Sequence, residues 1–358
     1  MRAFKWQGKR PFQEDSCVCH GANLRIIVFI SLLISGLGIR VNAQDSGLSH
    51  RQKGDALQAV GELDSAIAEF REALKLNPND AEAHKDLAIA FNSKGDLDSA
   101  ISETKAAIRT NPNDAAGHNI LGFLLKAKGD LNGSLAEYKE AIRLQPKYEL
   151  AHNNLCILLK DTRDFDGAIS ECRKALQIRP DYGEAHYNLA LVMKDKGDLD
   201  GAISEGREAV AILHDTPIVH NDLGLLLGAK NDFAGAVVEF RAALRLKPDY
   251  ADAHYNLGGM LNAKKDFDSA IAEYREATRT GLNDSETHTI LGFIYIEKGD
   301  LDRGITEFHE AIRLNPADAK AHWSLAVALQ TKGNSEEAAR EFAVAQRLDP
   351  SLKPPVSK

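Results

Sequence analysis

A spacing of 34 residues governs this chain from Gly47 to Leu352. Alanine stands at Ala73, Ala107, Ala141, Ala175, Ala209, Ala243, Ala277, Ala311 and Ala345. Leucine stands at Leu87, Leu121, Leu155, Leu189, Leu223, Leu257, Leu291 and Leu325. Proline keeps the same step at Pro78, Pro112, Pro146, Pro180, Pro248, Pro316 and Pro350, and nine of the twelve histidines do so from His50 to His322. No column needs a gap. The span therefore divides into nine units, 47–80, 81–114, 115–148, 149–182, 183–216, 217–250, 251–284, 285–318 and 319–352, with a tail at 353–358. A unit this short cannot bury its own apolar face, so neighbours must stack.

The steps inside a unit are helical. In the seventh, Ala253, Leu257, Gly258 and Leu261 advance by three or four, and Ala270, Ile271, Tyr274 and Ala277 do so again. Two amphipathic helices are predicted. Between them, Gly61, Gly95, Gly129, Gly197, Gly299 and Gly333 suit a left-handed turn, and the following Asp suits the cap of the second helix. That helix should stop before the proline, because the residue ahead of a proline avoids the helical region. Apolar residues make up 44% and aromatics 6% of the chain. That balance fits helices packed closely through small side chains.

These columns resemble the tetratricopeptide repeat. His254, Leu257, Gly258, Leu261, Ala270, Tyr274 and Ala277 fall on the family's pattern, while Leu282 stands where it has proline. The likeness covers residues 47–352. It implies an all-α, right-handed superhelical solenoid of antiparallel helix pairs, with a concave groove lined by the first helices. Carried over residue by residue, it places Lys85, Asp86, Asn119, Asn153, Asn154, Tyr187, Asn188, Asn221, Asp222, Tyr255, Asn256 and Trp323 on that groove, with Phe123 and Phe293 forming apolar pockets. Asparagine amides both donate and accept, so they can hold the backbone of an extended peptide. Tyrosine and tryptophan supply flat apolar area with a polar handle. The alternative is that these asparagines recur through duplication alone and are merely solvated. The asparagine column also resembles that of the repeat arrays of O-linked N-acetylglucosamine transferases. No transferase domain fits beside the repeats, so that likeness concerns the groove.

The histidine comb invites a metal ladder. Zinc, however, needs its nitrogens about 2.0–2.1 Å from one ion, and rings on stacked repeats seldom converge that closely. A flat, partly buried ring filling a gap between repeats is the expectation, with no metal and no cofactor. The glutamate column, Glu69, Glu103, Glu137, Glu171, Glu205, Glu239, Glu273, Glu307 and Glu341, often precedes Arg or Lys by two residues. It reads as a solvated helix face bearing salt bridges rather than a catalytic pair. No phosphate loop, His-Glu-x-x-His or nucleophile elbow is present. A non-enzymatic chain is expected. Cys156 and Cys172 face one another across the fourth hairpin. They read first as two buried thiols, with a disulfide as the alternative.

Residues 1–43 differ in kind. They hold six basic and two acidic groups, and an apolar run, Ile26–Ile39, lies between Arg25 and Arg40. The run is too short to span a bilayer comfortably. A signal peptide cleaved after Ala43 is expected, giving a periplasmic or secreted protein with no membrane insertion after cleavage, and an anchor at 26–39 is the alternative. The true start could lie near Leu24 or Val28, which would exclude Cys17, Cys19 and His20. Residues 44–46 would then be a short linker. The remaining chain carries 38 basic and 50 acidic groups, net −12, which argues against nucleic acid as a partner. The expected function is a scaffold binding a protein or peptide in the groove. The alternative is an assembly factor of the cell envelope acting through its ends and convex face. Two irregularities stand out. Gly206 and His214 replace the aromatic and the proline of the fifth repeat, predicting a weak joint at 204–217. The last repeat lacks a polar cap helix, leaving self-association through that end open.

Overall fold

The computed structural model describes residues 43–352. The expected signal or anchor, apart from Ala43, and the tail 353–358 lie outside the described residues. Among them are eighteen helices: α1 (Ala43–Ala59), α2 (Leu63–Leu76), α3 (Ala81–Ser93), α4 (Leu97–Thr110), α5 (Ala115–Ala127), α6 (Leu131–Leu144), α7 (Glu149–Asp161), α8 (Phe165–Ile178), α9 (Gly183–Lys196), α10 (Leu199–Ile212), α11 (Pro217–Ala229), α12 (Phe233–Leu246), α13 (Ala251–Ala263), α14 (Phe267–Thr280), α15 (Ser285–Glu297), α16 (Leu301–Leu314), α17 (Ala319–Lys332) and α18 (Ser335–Leu348). None is long and apolar enough to cross a membrane. Residues 44–46, expected as a linker, belong to α1. They contain neither glycine nor proline, and nothing in their sequence stops the helix from beginning there.

The chain forms two compact units that divide beside Gly206, within α10. In the first, residues 43–205, α1 packs on α2, α3 on α4, α5 on α6 and α7 on α8; each second helix also packs on the next first helix. The first helices α1, α3, α5, α7 and α9 lie side by side in that order. In the second, residues 206–352, α11 packs on α12, α13 on α14, α15 on α16 and α17 on α18 in the same manner. Each unit is thus an all-α solenoid of hairpins.

Small residues make the close approach. Ala66, Ala100, Ala168, Ala236 and Ala270 are fully buried. A Cβ at Gly122 would lie 2.7 Å from the Tyr138 ring, and one at Gly292 would lie 2.5 Å from Phe308. Glycine on the first helix and an aromatic ring on the second are therefore one packing unit. In the fifth repeat, where Gly206 replaces the aromatic, methyls of Leu223 and Leu226 come within 3.2 and 3.5 Å of the place a Cβ would occupy. The missing ring is thus partly compensated on that side.

The turns follow the sequence pattern. Asp96, Asp130, Asp164, Asp232, Asp266 and Asp300 each accept a backbone N–H three residues on, capping the second helices. The residues before the prolines are extended, as at Asn77 with φ −136° and ψ 90°. Gly95 adopts φ +80°, and where repeats lack that glycine, Arg163, Asn231 and Lys265 are held at φ 64°, 66° and 63°. Left-handed backbone costs a residue with a Cβ roughly 1 kcal/mol. Lys265→Gly is therefore expected to stabilise the C-terminal unit by about 0.5–1 kcal/mol, read as a higher urea midpoint.

Candidate functional site

The first helices carry the predicted binding residues, and the structure uses many of them to join neighbouring repeats. Asn154 Nδ2 donates to Asn119 Oδ1 at 3.0 Å, Asn188 Nδ2 to Asn153 Oδ1 at 2.9 Å, and Asn256 Nδ2 to Asn221 Oδ1 at 3.0 Å. Asn221 Nδ2 also donates to Asp222 Oδ1 at 3.2 Å. Asn119, Asn153, Asn154, Asn221, Asp222 and Asn256 are buried. The pattern is regular: an amide of one repeat bonds to the amide 35 residues earlier. Side by side, the columns at 153 and 154 look like two solvent-facing rows. Folded, they are the two halves of an inter-repeat ladder, and each amide keeps further hydrogen-bonding capacity beyond the bond named.

In the N-terminal unit the face is charged. Lys85 is buried, and its Nζ lies 2.6 Å from Asp114 Oδ2 and 2.8 Å from Glu82 Oε1. Burial pulls the Lys85 ammonium down, but hydrogen bonds to Asp114 and Glu82 outweigh it and hold the group above the ordinary lysine value. Arg51 Nε lies 3.4 Å from Asp86 Oδ2. Burial and the nearby Asp55 and Glu82 carboxylates push Asp86 up to about 7, against the pull of Arg51 and Lys85.

A raised carboxyl has a definite sign. Folded Asp86 binds a proton that the unfolded chain releases at lower pH. Its contribution to stability is therefore fully present in acid and is lost as pH rises toward 7. Asp86→Asn should stabilise the N-terminal unit by about 1–2 kcal/mol at pH 8, allowing for the group's partial exposure, and by little at pH 4. Urea unfolding at the two pH values reads the difference.

In the C-terminal unit the face is aromatic. Tyr255 meets Tyr274 edge-on with ring centroids 5.3 Å apart; Phe293 meets Phe308 at 5.3 Å; Trp323 meets Phe342 at 6.2 Å. Each outer ring is thus braced by a ring on the second helix of its own hairpin. Phe293 is 39% exposed, while Tyr255 and Trp323 are half-buried. Phe123 and Tyr187, half-buried, hold the corresponding places in the N-terminal unit.

The recurring histidine is bonded rather than merely wedged. His84 Nδ1 lies 2.7 Å from Glu103 Oε2, and the same contact, at 2.5–2.7 Å, joins His50 to Glu69, His118 to Glu137, His152 to Glu171, His186 to Glu205, His220 to Glu239, His254 to Glu273, His288 to Glu307 and His322 to Glu341. The glutamates thus face histidines inside the hairpin, where their column by itself reads as a solvated helix face bearing salt bridges. The constant 19-residue offset between the two columns was the signal. Arg143 pairs instead with Glu140 and Arg313 with Glu310, while Lys174 donates to Glu171 of the column itself. Among the described residues, no group of three or more His, Cys, Asp or Glu is placed to hold a metal ion.

Cys156 and Cys172 form a disulfide, with Cα atoms 5.3 Å apart, correcting the reading of two free thiols. Cys156 stands where Gly122 and Gly292 stand, and Cys172 where Tyr138 and Phe308 stand. The pair replaces the glycine–ring contact, and that close approach of α7 and α8 is what brings the two Cβ atoms within bridging range.

Hairpins stacked through small residues, presenting a row of first helices, define a helical-repeat protein. The chain belongs to the tetratricopeptide repeat family: its family models match residues 51–115, 221–284 and 292–352, and further ones match 124–162 and 159–221. No curated protein matches it. Among solved structures, it is similar to the APC/C hetero-tetramer Cut9-Hcn1, at 19% identity and TM-score 0.53, over 81% of this chain and 57% of that one. The chain thus spans little more than half the length of that relative. It is also similar to YrrB, described as a TPR protein with an unusual peptide-binding site, at 22% identity and TM-score 0.44, over 50% of this chain and 92% of that one. A third is pilF of Pseudomonas aeruginosa, at 19% identity and TM-score 0.48, over 57% and 93% of the two chains.

Proposed function

We propose that this protein is a non-enzymatic scaffold that binds an extended segment of another protein against its first helices. The observation that carries the reading is the row of braced rings Tyr255, Phe293 and Trp323, the middle one exposed. Large rings fixed in place and open to solvent are typical anchors of interfaces, because little rotamer freedom is lost on binding. The asparagines contribute mainly by setting the spacing of the helices, since their amides already bond to one another. The likeness of their column to that of the O-linked N-acetylglucosamine transferase arrays therefore extends to position more than to free capacity.

A random peptide library panned on the full chain tests this. Enriched peptides should lose at least tenfold in affinity to a Phe293→Ala/Trp323→Ala variant and little to one altered at exposed Val238. Absence of enrichment, or equal binding to both variants, would refute groove binding.

Export to an oxidising compartment is part of the proposal. A buried disulfide between α7 and α8 supports it, because such bonds are rare in reducing cytosol. The second reading, an envelope assembly factor acting through its ends and outer face, draws on the hollow lined by Arg173, Lys174, Met193 and Lys196. Self-association through the last hairpin gains less support. Interior second helices bury Ile67, Ile101, Ile271 and Ile305 at a position where α18 exposes Ala339, and Phe342 is itself buried.

A further inference from the structure

Seven histidines are set between two groups that accept hydrogen bonds. The Nε2 atoms of His84, His118, His152, His186, His254 and His322 lie 3.0–3.1 Å from the carbonyl oxygens of Pro78, Pro112, Pro146, Pro180, Pro248 and Pro316, and that of His220 lies 3.1 Å from the His214 carbonyl. A carbonyl has no hydrogen to offer, so Nε2 must donate. A neutral imidazole then has only a lone pair at Nδ1. That lone pair would face a glutamate oxygen at 2.5–2.7 Å in each case. Two lone pairs at that distance repel. The arrangement is attractive only with a second proton between Nδ1 and Oε2. His288 is not counted, because its Nε2 partner is a side-chain amide, Asn283, whose oxygen and nitrogen can exchange places. Nor is His50, for which the described contact is with Glu69 alone.

We infer that each of these seven His–Glu pairs carries one proton in the folded protein that it releases on unfolding in neutral to mildly alkaline solution, making the pairs a set of pH-sensitive fasteners. Each joins the start of a first helix to its own second helix and to the loop before it. Folding therefore takes up protons, and the hairpins loosen as pH rises. This follows from linkage: stability falls with pH wherever the native state binds more protons than the unfolded one.

The charged surroundings are consistent with a bridged imidazolium and carboxylate. Beside His84, α4 supplies Glu103, and Arg109 lines the same hollow. Beside His118, α6 supplies Glu137 and also Glu140, which Arg143 clamps. Beside His152, α8 supplies Glu171, itself bonded to Lys174. His186, His220, His254 and His322 face Glu205, Glu239, Glu273 and Glu341. Burial raises Glu171, but the bonds from His152 and Lys174 more than offset it and hold that carboxyl below its ordinary range.

The test uses the full, disulfide-bonded chain. Unfolded in concentrated urea and diluted into weakly buffered solution near pH 7.5, where free imidazole is mostly neutral, it should take up more than three protons per molecule on refolding. Uptake of three or fewer would overturn the inference. Asp86 accounts for one proton at most. Glu103→Gln/Glu137→Gln places an amide N–H opposite each Nδ1 lone pair, so two fewer protons should be taken up and the stability of those hairpins should depend less on pH. Unchanged uptake in that variant would also overturn the inference. Should it fail to fold, nitrogen-15 NMR of the wild-type histidines gives a second measure. Double-donor ring signals at about pH 7.5 that convert to neutral-tautomer signals in urea are the supporting result, and neutral-tautomer signals in the folded chain the opposing one.

Discussion

Replacing Cys156 and Cys172 with alanine is expected to cost about 3 kcal/mol in the fourth hairpin, the chain-entropy value for a cross-link that closes a loop of this size. The bond joins residues 16 apart, and both side chains are fully buried. Two effects act together. The unfolded chain regains the freedom the cross-link removed, and the folded hairpin loses the atoms that stand in for a ring. The second effect can be isolated. Cys156→Gly/Cys172→Tyr rebuilds the contact seen between Gly122 and Tyr138, so it should recover part of the loss without any cross-link. Stability in an array is distributed over its repeats, so a single global midpoint would blur the result. Hydrogen exchange in α7 and α8 gives the local reading. Amides there should exchange about a hundredfold faster in the alanine variant, since every 1.4 kcal/mol is tenfold and 3 kcal/mol roughly two decades. Exchange unchanged from the oxidised wild type would show that the bond stabilises nothing.

Much of the fold was legible because the repeat reports the same physics nine times over. The turn glycines, the capping aspartates and the helix-ending prolines each have a local cause, and Gly95, Asp96 and Asn77 adopt the conformations their sequence context demands. What escaped was anything that depends on two columns at once. Glu103 reads from its own column as part of a solvated face bearing salt bridges, yet its partner is His84, on the other helix of the hairpin. Asn153 and Asn154 looked like equivalent groove residues; one accepts from the next repeat and the other donates to the preceding one. The disulfide between Cys156 and Cys172 is only the second reading of the sequence, for a related reason. Position on facing helices can be read from spacing, but the distance between two Cβ atoms depends on how closely those helices approach. That approach is set by small residues acting together with the rings they face. The division beside Gly206 falls within the stretch where the fifth repeat loses its aromatic and its proline. Faster hydrogen exchange in α10 than in α8 is the expected sign of a weakened joint there.

Phe308→Ala should be the most damaging single change on the aromatic side, destabilising the eighth hairpin by about 3–5 kcal/mol, the range for emptying a buried ring's site. Phe308 is 1% exposed and touches three things at once: the backbone at Gly292, the core residues of α17 and the ring of Phe293. Removing it therefore also frees an exposed ring of the proposed binding face. Peptides selected by that face should weaken even at temperatures where the variant remains folded. A double-mutant cycle gives the sharper test. In the wild type, Gly292→Ala forces a methyl to within 2.5 Å of the Phe308 ring and should destabilise by about 1–3 kcal/mol, as overpacking does. In the Phe308→Ala background the same methyl enters the vacated space, and alanine is also the better helix former, so the substitution should be neutral or stabilising. A change of sign between the two backgrounds, measured by urea unfolding with hydrogen exchange in α15 and α16, is the signature of direct contact between glycine and ring. Equal effects in both backgrounds would mean that the hairpin's closeness is set by something other than that pair, and with it the braced geometry on which the proposed binding face rests.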